Sequence, residues 1–365
     1  MRILVTGHNG YIGTVLVPML LEAGHTVVGL DVDLFRACTF GQSVPAIPSI
    51  QKDIRDVAED DVQGFDAVIH LAALSNDPLG DLNPRLTYEI NWNASVRLAT
   101  VAKLAGVQRF LFSSSCSTYG ASGDDLLTED AAFNPVTPYG HSKVLVERDL
   151  SDLADFSFSP VYLRNATAYG VSPLLRFDLV LNNLVAWAYT TGRVYIKSDG
   201  TPWRPIVHVE DIARAFVAML DAPREKIHDQ AFNVGQTSEN YRIHELADIV
   251  QQTVSGCVIE YAPDAGPDTR CYRVNCDRIQ QEVPGFSPQW TAQKGAEQLL
   301  DAYQRYGLSL EEFEGPRYKR IDHIKQLIAT GTLDESLRRH PADHHENGES
   351  FSARGTAHLE GNGIK

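Results

Sequence analysis

Apolar side chains fall into short runs separated by glycine-bounded stretches of helix-forming residues. Arg2-Ile-Leu-Val-Thr6 is a strand-like run, Gly7-His-Asn-Gly10-Tyr-Ile-Gly13 a turn, and Thr14 to Ala23 a helix that Gly24 stops before the second run, Thr26-Val-Val-Gly-Leu-Asp31. This predicts a β-α-β unit. Asp66-Ala-Val-Ile-His-Leu71 and Arg109-Phe-Leu-Phe-Ser113 continue as buried strands, with helical text from Leu82 to Leu104 between them. A helix after Pro138 and a strand at Val161-Tyr-Leu-Arg164 follow. Strands alternating with helices imply an α/β fold with a doubly wound parallel sheet covered on both faces.

Past Gly170 the rhythm loosens. Helices are expected over Leu179 to Tyr189, Asp211 to Leu220, Arg242 to Val254 and Ala292 to Tyr306, and strands at Pro205-Ile-Val-His-Val209 and Ala231-Phe-Asn-Val234. The pattern predicts a first domain over 1–170 with segments returning at about 205–235. A smaller mixed α/β C-terminal domain is expected from 171–204 and 236–335, lying over the sheet's carboxyl edge. The stretch Pro341 to Lys365 is polar and glycine-rich, so a disordered tail is expected there, and His344, His345 and His358 show no repeating ligand spacing.

Charge narrows the choice of partners. With 32 basic and 47 acidic side chains the net charge is −15, which argues against nucleic acid, whose affinity comes from lysine and arginine neutralising phosphates. Five cysteines without a Cys-x-x-Cys pair argue against a disulfide framework or a zinc site, and a cytoplasmic location is expected. No apolar run reaches the ~18 residues of a membrane span, and Met1 leads directly into the first strand, so no membrane partner and no signal peptide are expected.

Gly7, Gly10 and Gly13 lie three apart between a strand and a helix. A side chain at the first would block the tight turn, at the second would keep a pyrophosphate from the backbone, and at the third would push helix off strand. The amides opening that helix would then face phosphates. Asp31 ends the second strand 18 residues after Gly13, where a carboxylate accepts from an adenosine ribose and repels a 2′-phosphate. A Rossmann-type site for NAD rather than NADP is therefore predicted, with Asp33 as a competing acid and Arg36 as a counter-indication.

Thr137-Pro-Tyr139-Gly-His-Ser-Lys143 reads as an N-cap, a first-turn proline, and a tyrosine and lysine on one helix face. An ammonium roughly 5 Å from the phenol, at an effective dielectric near 20, gives about 3.3 kcal/mol, or roughly 2.4 pKa units, enough to make the tyrosine a general base. Phe112-Ser-Ser-Ser115-Cys-Ser-Thr-Tyr119-Gly120 follows a strand end, where ligands bind in this architecture.

On these motifs the chain resembles an extended short-chain dehydrogenase/reductase of the NAD-dependent epimerase/dehydratase family. Also supporting the likeness are Asp53-Ile54, His70-Leu-Ala-Ala73 and Arg204-Pro-Ile-Val-His208-Val-Glu-Asp211, and it covers residues 1 to about 310. The resemblance implies a catalytic set of Ser115, Tyr139 and Lys143. It implies cofactor contacts from Gly7, Asn9, Gly10, Tyr11, Ile12, Gly13, Asp31, Asp53, Ile54, Leu71, Ala72 and Ala73, together with Tyr139 and Lys143. It implies a nucleotide-diphosphate sugar substrate held by Ser115, Thr167, Asn183, Leu184, Arg204 and Arg270 or Arg273, no metal, and a homodimer.

Within that resemblance the residues after Ser115 discriminate between reactions. Sugar-nucleotide 4,6-dehydratases carry Asp-Glu there, uronate decarboxylases a glutamate and 3,5-epimerases a cysteine at the second position, whereas this chain has Cys116-Ser117. No carboxylate or thiol is then expected for elimination or for deprotonating a ring carbon. C4 epimerisation through a transient keto-sugar is the leading expectation; the alternatives are a one-way dehydrogenase or keto-sugar reductase, and a non-catalytic NAD(P)-sensing protein. Two positions depart from the family pattern: Ala265 stands where an arginine is common, and Thr167 where an asparagine touches substrate. Pro173 to Asp178 reads either as a segment closing over the sugar or as a connector.

Overall fold

The buried runs of the first half become strands. In a computed structural model that describes residues 1–41, 43–44, 46–75, 83–266 and 271–339, the chain runs β1 (Arg2–Thr6), α1 (Gly13–Glu22), β2 (Thr26–Asp31), β3 (Ser49–Gln51), β4 (Ala67–His70), α2 (Ala94–Leu104), β5 (Arg109–Ser115), β6 (Ala121–Leu127), α3 (Pro138–Ser151) and β7 (Ser159–Asn165). There follow β8 (Thr167–Tyr169), α4 (Val180–Thr191), β9 (Arg193–Ser198), β10 (Trp203–His208), α5 (Val209–Asp221), β11 (Gln230–Val234), β12 (Asn240–Arg242), α6 (Ile243–Thr253), β13 (Val258–Gly266), β14 (Cys271–Val274), α7 (Ala292–Tyr306) and α8 (Arg320–Ala329). Shorter helical turns join several of these.

Seven parallel strands form the main sheet in the order β11-β7-β5-β4-β1-β2-β3. Strand order reverses between β1 and β4, and in such sheets the crevice outside the carboxyl ends at that point receives the ligand. Every residue of β4 and β7 is buried, as a sheet covered on both faces requires. One face packs Ile3, Val5 and Leu111 against Leu16 and Leu20 of α1 and Ile212 and Phe216 of α5.

The later half has its own core, in which Leu184 and Val185 of α4 meet Leu246 and Val250 of α6 and Leu299 and Tyr303 of α7. Small sheets flank it: β12-β10-β8, β13-β9, and β14 paired with β6. The smaller mixed α/β part expected from the sequence is therefore present. One of its strands pairs with a segment from before residue 170, because β6, which follows the interior strand β5, pairs with β14 outside the main sheet.

The chain divides into two compact units, Met1–Ile324 and Lys325 onward, and everything described below lies in the first. In the second, Leu333 and Arg339 form an isolated antiparallel bridge. The tail expected from Pro341 lies outside the described residues, as does Arg270. The helical text before Leu104 contains one irregularity: Tyr88–Asn93 is a π-helical turn ahead of α2. It turns Asn91 inward, where Oδ1 accepts from Leu74 N at 2.7 Å and Nδ2 donates to Leu74 O at 3.0 Å, fixing the loop after β4.

Candidate active site

The glycine turn closes against the loop after β4. Gly7 has φ +73°, and a Cβ there would lie 2.7 Å from Ala72 N; at Gly13 it would lie 2.5 Å from the carbonyls of Gly7 and His8. Only bare backbone fits at both positions. Among the described residues the amides of Tyr11, Ile12 and Gly13 make no hydrogen bond, so the start of α1 offers unsatisfied donors and a positive dipole end. The Tyr11 side chain has another task, since its hydroxyl donates to Gly170 O at 2.8 Å.

Asp31 sits beside this turn. Its Oδ2 accepts from Asn9 N at 3.0 Å and its Oδ1 from Asp33 N at 2.9 Å, while burial pushes its carboxyl above the ordinary value. Asp33 takes the Asn9 side-chain amide at 2.6 Å. Asp53 caps the turn Ile54–Asp56 and pairs with the Arg55 guanidinium at 2.6 Å; Ile54 is buried behind it. Leu71 N donates to Thr6 O, and Ala72 N to Thr6 Oγ1 at 3.3 Å. A cradle closed by bare backbone, with free amides and an adjoining carboxylate, fits a dinucleotide.

The reacting end forms where α3 crosses the end of β5. Thr137 caps α3, accepting from Gly140 N at 3.1 Å, and Pro138 occupies its first turn. Lys143 lies one turn beyond Tyr139, with Nζ 5.6 Å from the phenol ring centroid, 4.5 Å from the Phe112 centroid and 2.7 Å from Ser113 O. The spacing is that expected, but the charge is weaker. Burial pulls the Lys143 ammonium down to about 7, with Glu147 opposing, so its positive charge fades as pH rises through neutrality. Ser115 Oγ accepts from Ser117 N at 3.1 Å, directing the hydroxyl proton elsewhere.

Beneath this set lies a buried ion pair. Arg164 Nη2 of β7 meets Glu147 Oε2 of α3 at 2.7 Å, the same carboxylate accepts from Ser114 Oγ, and Arg164 Nη1 donates to Tyr119 Oη at 3.0 Å. Breaking a buried pair by removing one partner destabilises by about 3–5 kcal/mol, so this web anchors the helix that carries Tyr139 and Lys143.

A cavity of about 710 Å³ connects these groups with the later half of the chain. Ile12, Leu71, Ala73, Ser115, Tyr139 and Lys143 line it on the sheet side, and Thr167, Asn183, Leu184 and Arg204 on the other. Arg204 is buried and donates to Trp203 O at 3.0 Å. Arg273 does not reach the cavity; its guanidinium stacks 4.6 Å over the Trp203 ring.

Cys116 points away from the cavity. Its thiol contacts Arg164 O at 3.1 Å and burial pushes its pKa well up, so it is held protonated. Ser117 lines the cavity, and its Oγ is buried without a protein partner. One carboxylate from outside the Ser115 segment lines the cavity, that of Asp178. It is engaged by Arg176, with Nη2 on Oδ2 at 2.5 Å and Nε on Oδ1 at 3.0 Å. Arg176 and Asp178 belong to the segment Pro173 to Asp178, and Tyr195, Lys197 and Tyr272 line the cavity without any local motif to carry them. The Arg176-x-Asp178 spacing was the one available signal.

Fold and cavity together are those of an NAD-binding enzyme of Rossmann architecture. Residues 3–235 match the model of the NAD dependent epimerase/dehydratase family, and the chain belongs to that family. It is 30% identical over 343 residues to UDP-glucose 4-epimerase of Neisseria meningitidis serogroup C, spanning 84% of this chain and 96% of that protein. Human UDP-glucose 4-epimerase is 29% identical over 342 residues, with the same two shares. Among solved structures, MoeE5 in complex with UDP-glucuronic acid and NAD matches with a TM-score of 0.73 and 27% identity, covering 84% of this chain and 99% of that one. The fold is shared with a UDP-glucuronic acid 4-epimerase from Bacillus cereus at TM-score 0.71 and 24% identity, covering 84% and 99%. The protein is thus an NAD-dependent enzyme of this family.

Proposed function

We propose that the protein is a nucleotide-sugar 4-epimerase acting on a uridine diphosphate hexose. The observation that carries the reading is the inventory of the cavity: Ser115, Tyr139 and Lys143 stand together at the cofactor end, Cys116 faces away, and Asp178 is held by Arg176. Redox at a carbinol needs only the first three. Tyr139 takes the hydroxyl proton and later returns it, the Ser115 hydroxyl donates to the same oxygen, and Lys143 fixes the neighbouring ribose. Bound NAD supplies reversible hydride acceptance at the sugar carbon. An epimer results when the keto-sugar turns over before the hydride returns.

The names of the relatives and the uridine nucleotides in MoeE5 support UDP as the handle. Arg204 is the assigned cation for its diphosphate, with Asn183 and Leu184 beside the nucleotide and Thr167 against the sugar. In this reading 1–170 with the segments near 205–235 hold the cofactor, and 171–204 with 236–335 hold the substrate. A cytoplasmic homodimer completes the proposal; light scattering on the purified protein tests the assembly. Among the described residues no helix is long and apolar enough to cross a membrane, and no group of three or more His, Cys, Asp or Glu could hold a metal.

The deciding experiment incubates the protein with UDP-, dTDP-, GDP- and CDP-sugars, following products by NMR and NADH by absorbance. A new C4 epimer without NADH accumulation is expected. Stoichiometric NADH with an oxidised sugar would replace epimerisation by dehydrogenation, and no turnover of any sugar would leave a sensing role.

A further inference from the structure

Two guanidinium groups from distant parts of the chain converge on Ser75, at the end of the loop after β4. Arg176 Nη1 lies 3.3 Å from Ser75 Oγ and Nη2 3.3 Å from Ser75 O; Arg320 Nη1, from the start of α8, lies 3.4 Å from the same hydroxyl. Like charges are not brought together without reason. Arg176 is buried and has Asp178 as its ion-pair partner, whereas among the described residues no carboxylate lies within ion-pair distance of Arg320. Its guanidinium instead rests 4.4 Å over the Phe35 ring. Among the described residues the two guanidiniums share one ion-paired carboxylate, that of Asp178.

Both arginines are held in place. Ser172 Oγ donates to Tyr11 O at 2.8 Å, and Asn182 Nδ2 donates to Arg176 O at 2.9 Å, tying the segment before α4 to the glycine turn. Around Arg320, Arg317 Nη2 donates to Thr39 O at 2.7 Å and His323 Nε2 lies 3.0 Å from Leu34 O, tying the start of α8 to the loop after β2.

The surroundings indicate which anion is meant. Arg176 and Ser75 line the same cavity as Ile12 at the start of α1 and Tyr139, while Arg320 rests over Phe35 in the loop that follows Asp31. The two guanidiniums, meeting at Ser75, thus adjoin the loop after Asp31 on one side and the cavity wall shared with Ile12 and Tyr139 on the other. That is the course of the dinucleotide, with its diphosphate in the middle. Burial, then the neighbouring Arg176 charge, lowers Arg320 to about 10, and an anion between them would relieve that repulsion.

We propose that Arg176 and Arg320, meeting at Ser75, form a cation clamp over the diphosphate of the NAD cofactor, opposite the amides that open α1. The clamp accounts for cofactor retention through side chains the glycine motif does not include. It rests on NAD dependence and not on the identity of the sugar.

The test compares wild type, Arg320→Gln and Arg320→Lys, each checked by circular dichroism and thermal unfolding. NAD content after purification is assayed, and NAD, ADP-ribose, adenosine and UDP-glucose are titrated by calorimetry, the last at saturating NAD. For Arg320→Gln a fall in NAD and ADP-ribose affinity of roughly 10- to 100-fold is expected, the range for a lost charged hydrogen bond, with partial recovery in Arg320→Lys. Adenosine and UDP-glucose should each stay within about threefold. Unchanged NAD affinity overturns the clamp. So does a loss confined to UDP-glucose, which assigns the charge to the substrate, and so does an equal loss for adenosine, which makes Arg320 structural. Absence of epimerase activity in the NAD-loaded wild type, together with weakened NAD binding in Arg320→Gln, would instead overturn the sugar assignment and leave the clamp standing.

Discussion

The end of the cavity at the glycine turn is assembled from the ends of β1, β4 and β5 and the first turns of α1 and α3, whereas the opposite end, proposed above to hold the sugar, draws Thr167 from β8, Asn183 from α4, Lys197 from β9, Arg204 from β10 and Tyr272 from β14. At the first end each functional residue sits in a motif a few residues long, positioned by backbone already fixed within the parallel sheet. At the second, single side chains from five elements meet only after small sheets have paired. Local chemistry constrains the one, and long-range packing the other.

If that contrast holds, substitutions at the cofactor end should abolish chemistry, and those at the sugar end should redistribute it among substrates. Tyr139→Phe should lower kcat by about 10²- to 10⁴-fold, the range for a lost general base, while NAD content stays unchanged. Turnover near wild type would remove Tyr139 as the base.

The next largest effect concerns Lys143. Its folded-state pKa of about 7 lies below the ordinary 10.5, so between those values the unfolded chain binds more protons. Stability of the cofactor-free protein should then rise with pH from 7 towards 10 by a few kcal/mol, and the full penalty of charging the buried amine should apply below 7. Urea unfolding of wild type and Lys143→Met at pH 7 and pH 9 isolates this contribution: the variant should lose that part of the slope. Equal slopes would show that the ammonium is not disfavoured.

At the sugar end, Arg204→Ala should raise KM for the nucleotide sugar by roughly 10- to 100-fold with a smaller change in kcat, and raising salt from 50 to 200 mM should weaken wild-type binding by much less than the substitution does. Thr167→Asn should have the smallest effect, moving kcat/KM ratios among UDP-sugars by about three- to tenfold. A kcat collapse in either variant would erase the distinction between the ends.

The same contrast governs how much the sequence alone reveals. The strands of the main sheet are readable from apolar runs, and α1, α3 and α5 from helix formers, caps and prolines, since each is decided by neighbours in sequence. The glycine spacing, Asp31 and the Tyr139 to Lys143 pair are readable for the same reason. The pairing of β6 with β14 is not, because Ala121–Leu127 is mostly exposed and carries no apolar run. Arg176 and Arg320 are 144 residues apart and meet at Ser75 only through tertiary structure. The spacing of Tyr139 and Lys143 supplies a distance and says nothing of the burial that lowers the Lys143 ammonium.

The pairing of β8 with β10 has a further consequence. Thr167 lies opposite Ile206 and Tyr169 opposite His208 in a parallel pair, so the excursion between these strands, including α4 and β9, is a crossover that leaves at the end of β8 and re-enters at the start of β10. Such a segment behaves as an exchangeable cassette, since its ends are fixed by the framework and its content is not. Diversification of specificity in proteins built this way could proceed by replacing 173–202 as one block while the hydride-transfer machinery is inherited intact. A transplant would need to keep Arg176 to remain compatible with the cofactor beneath it.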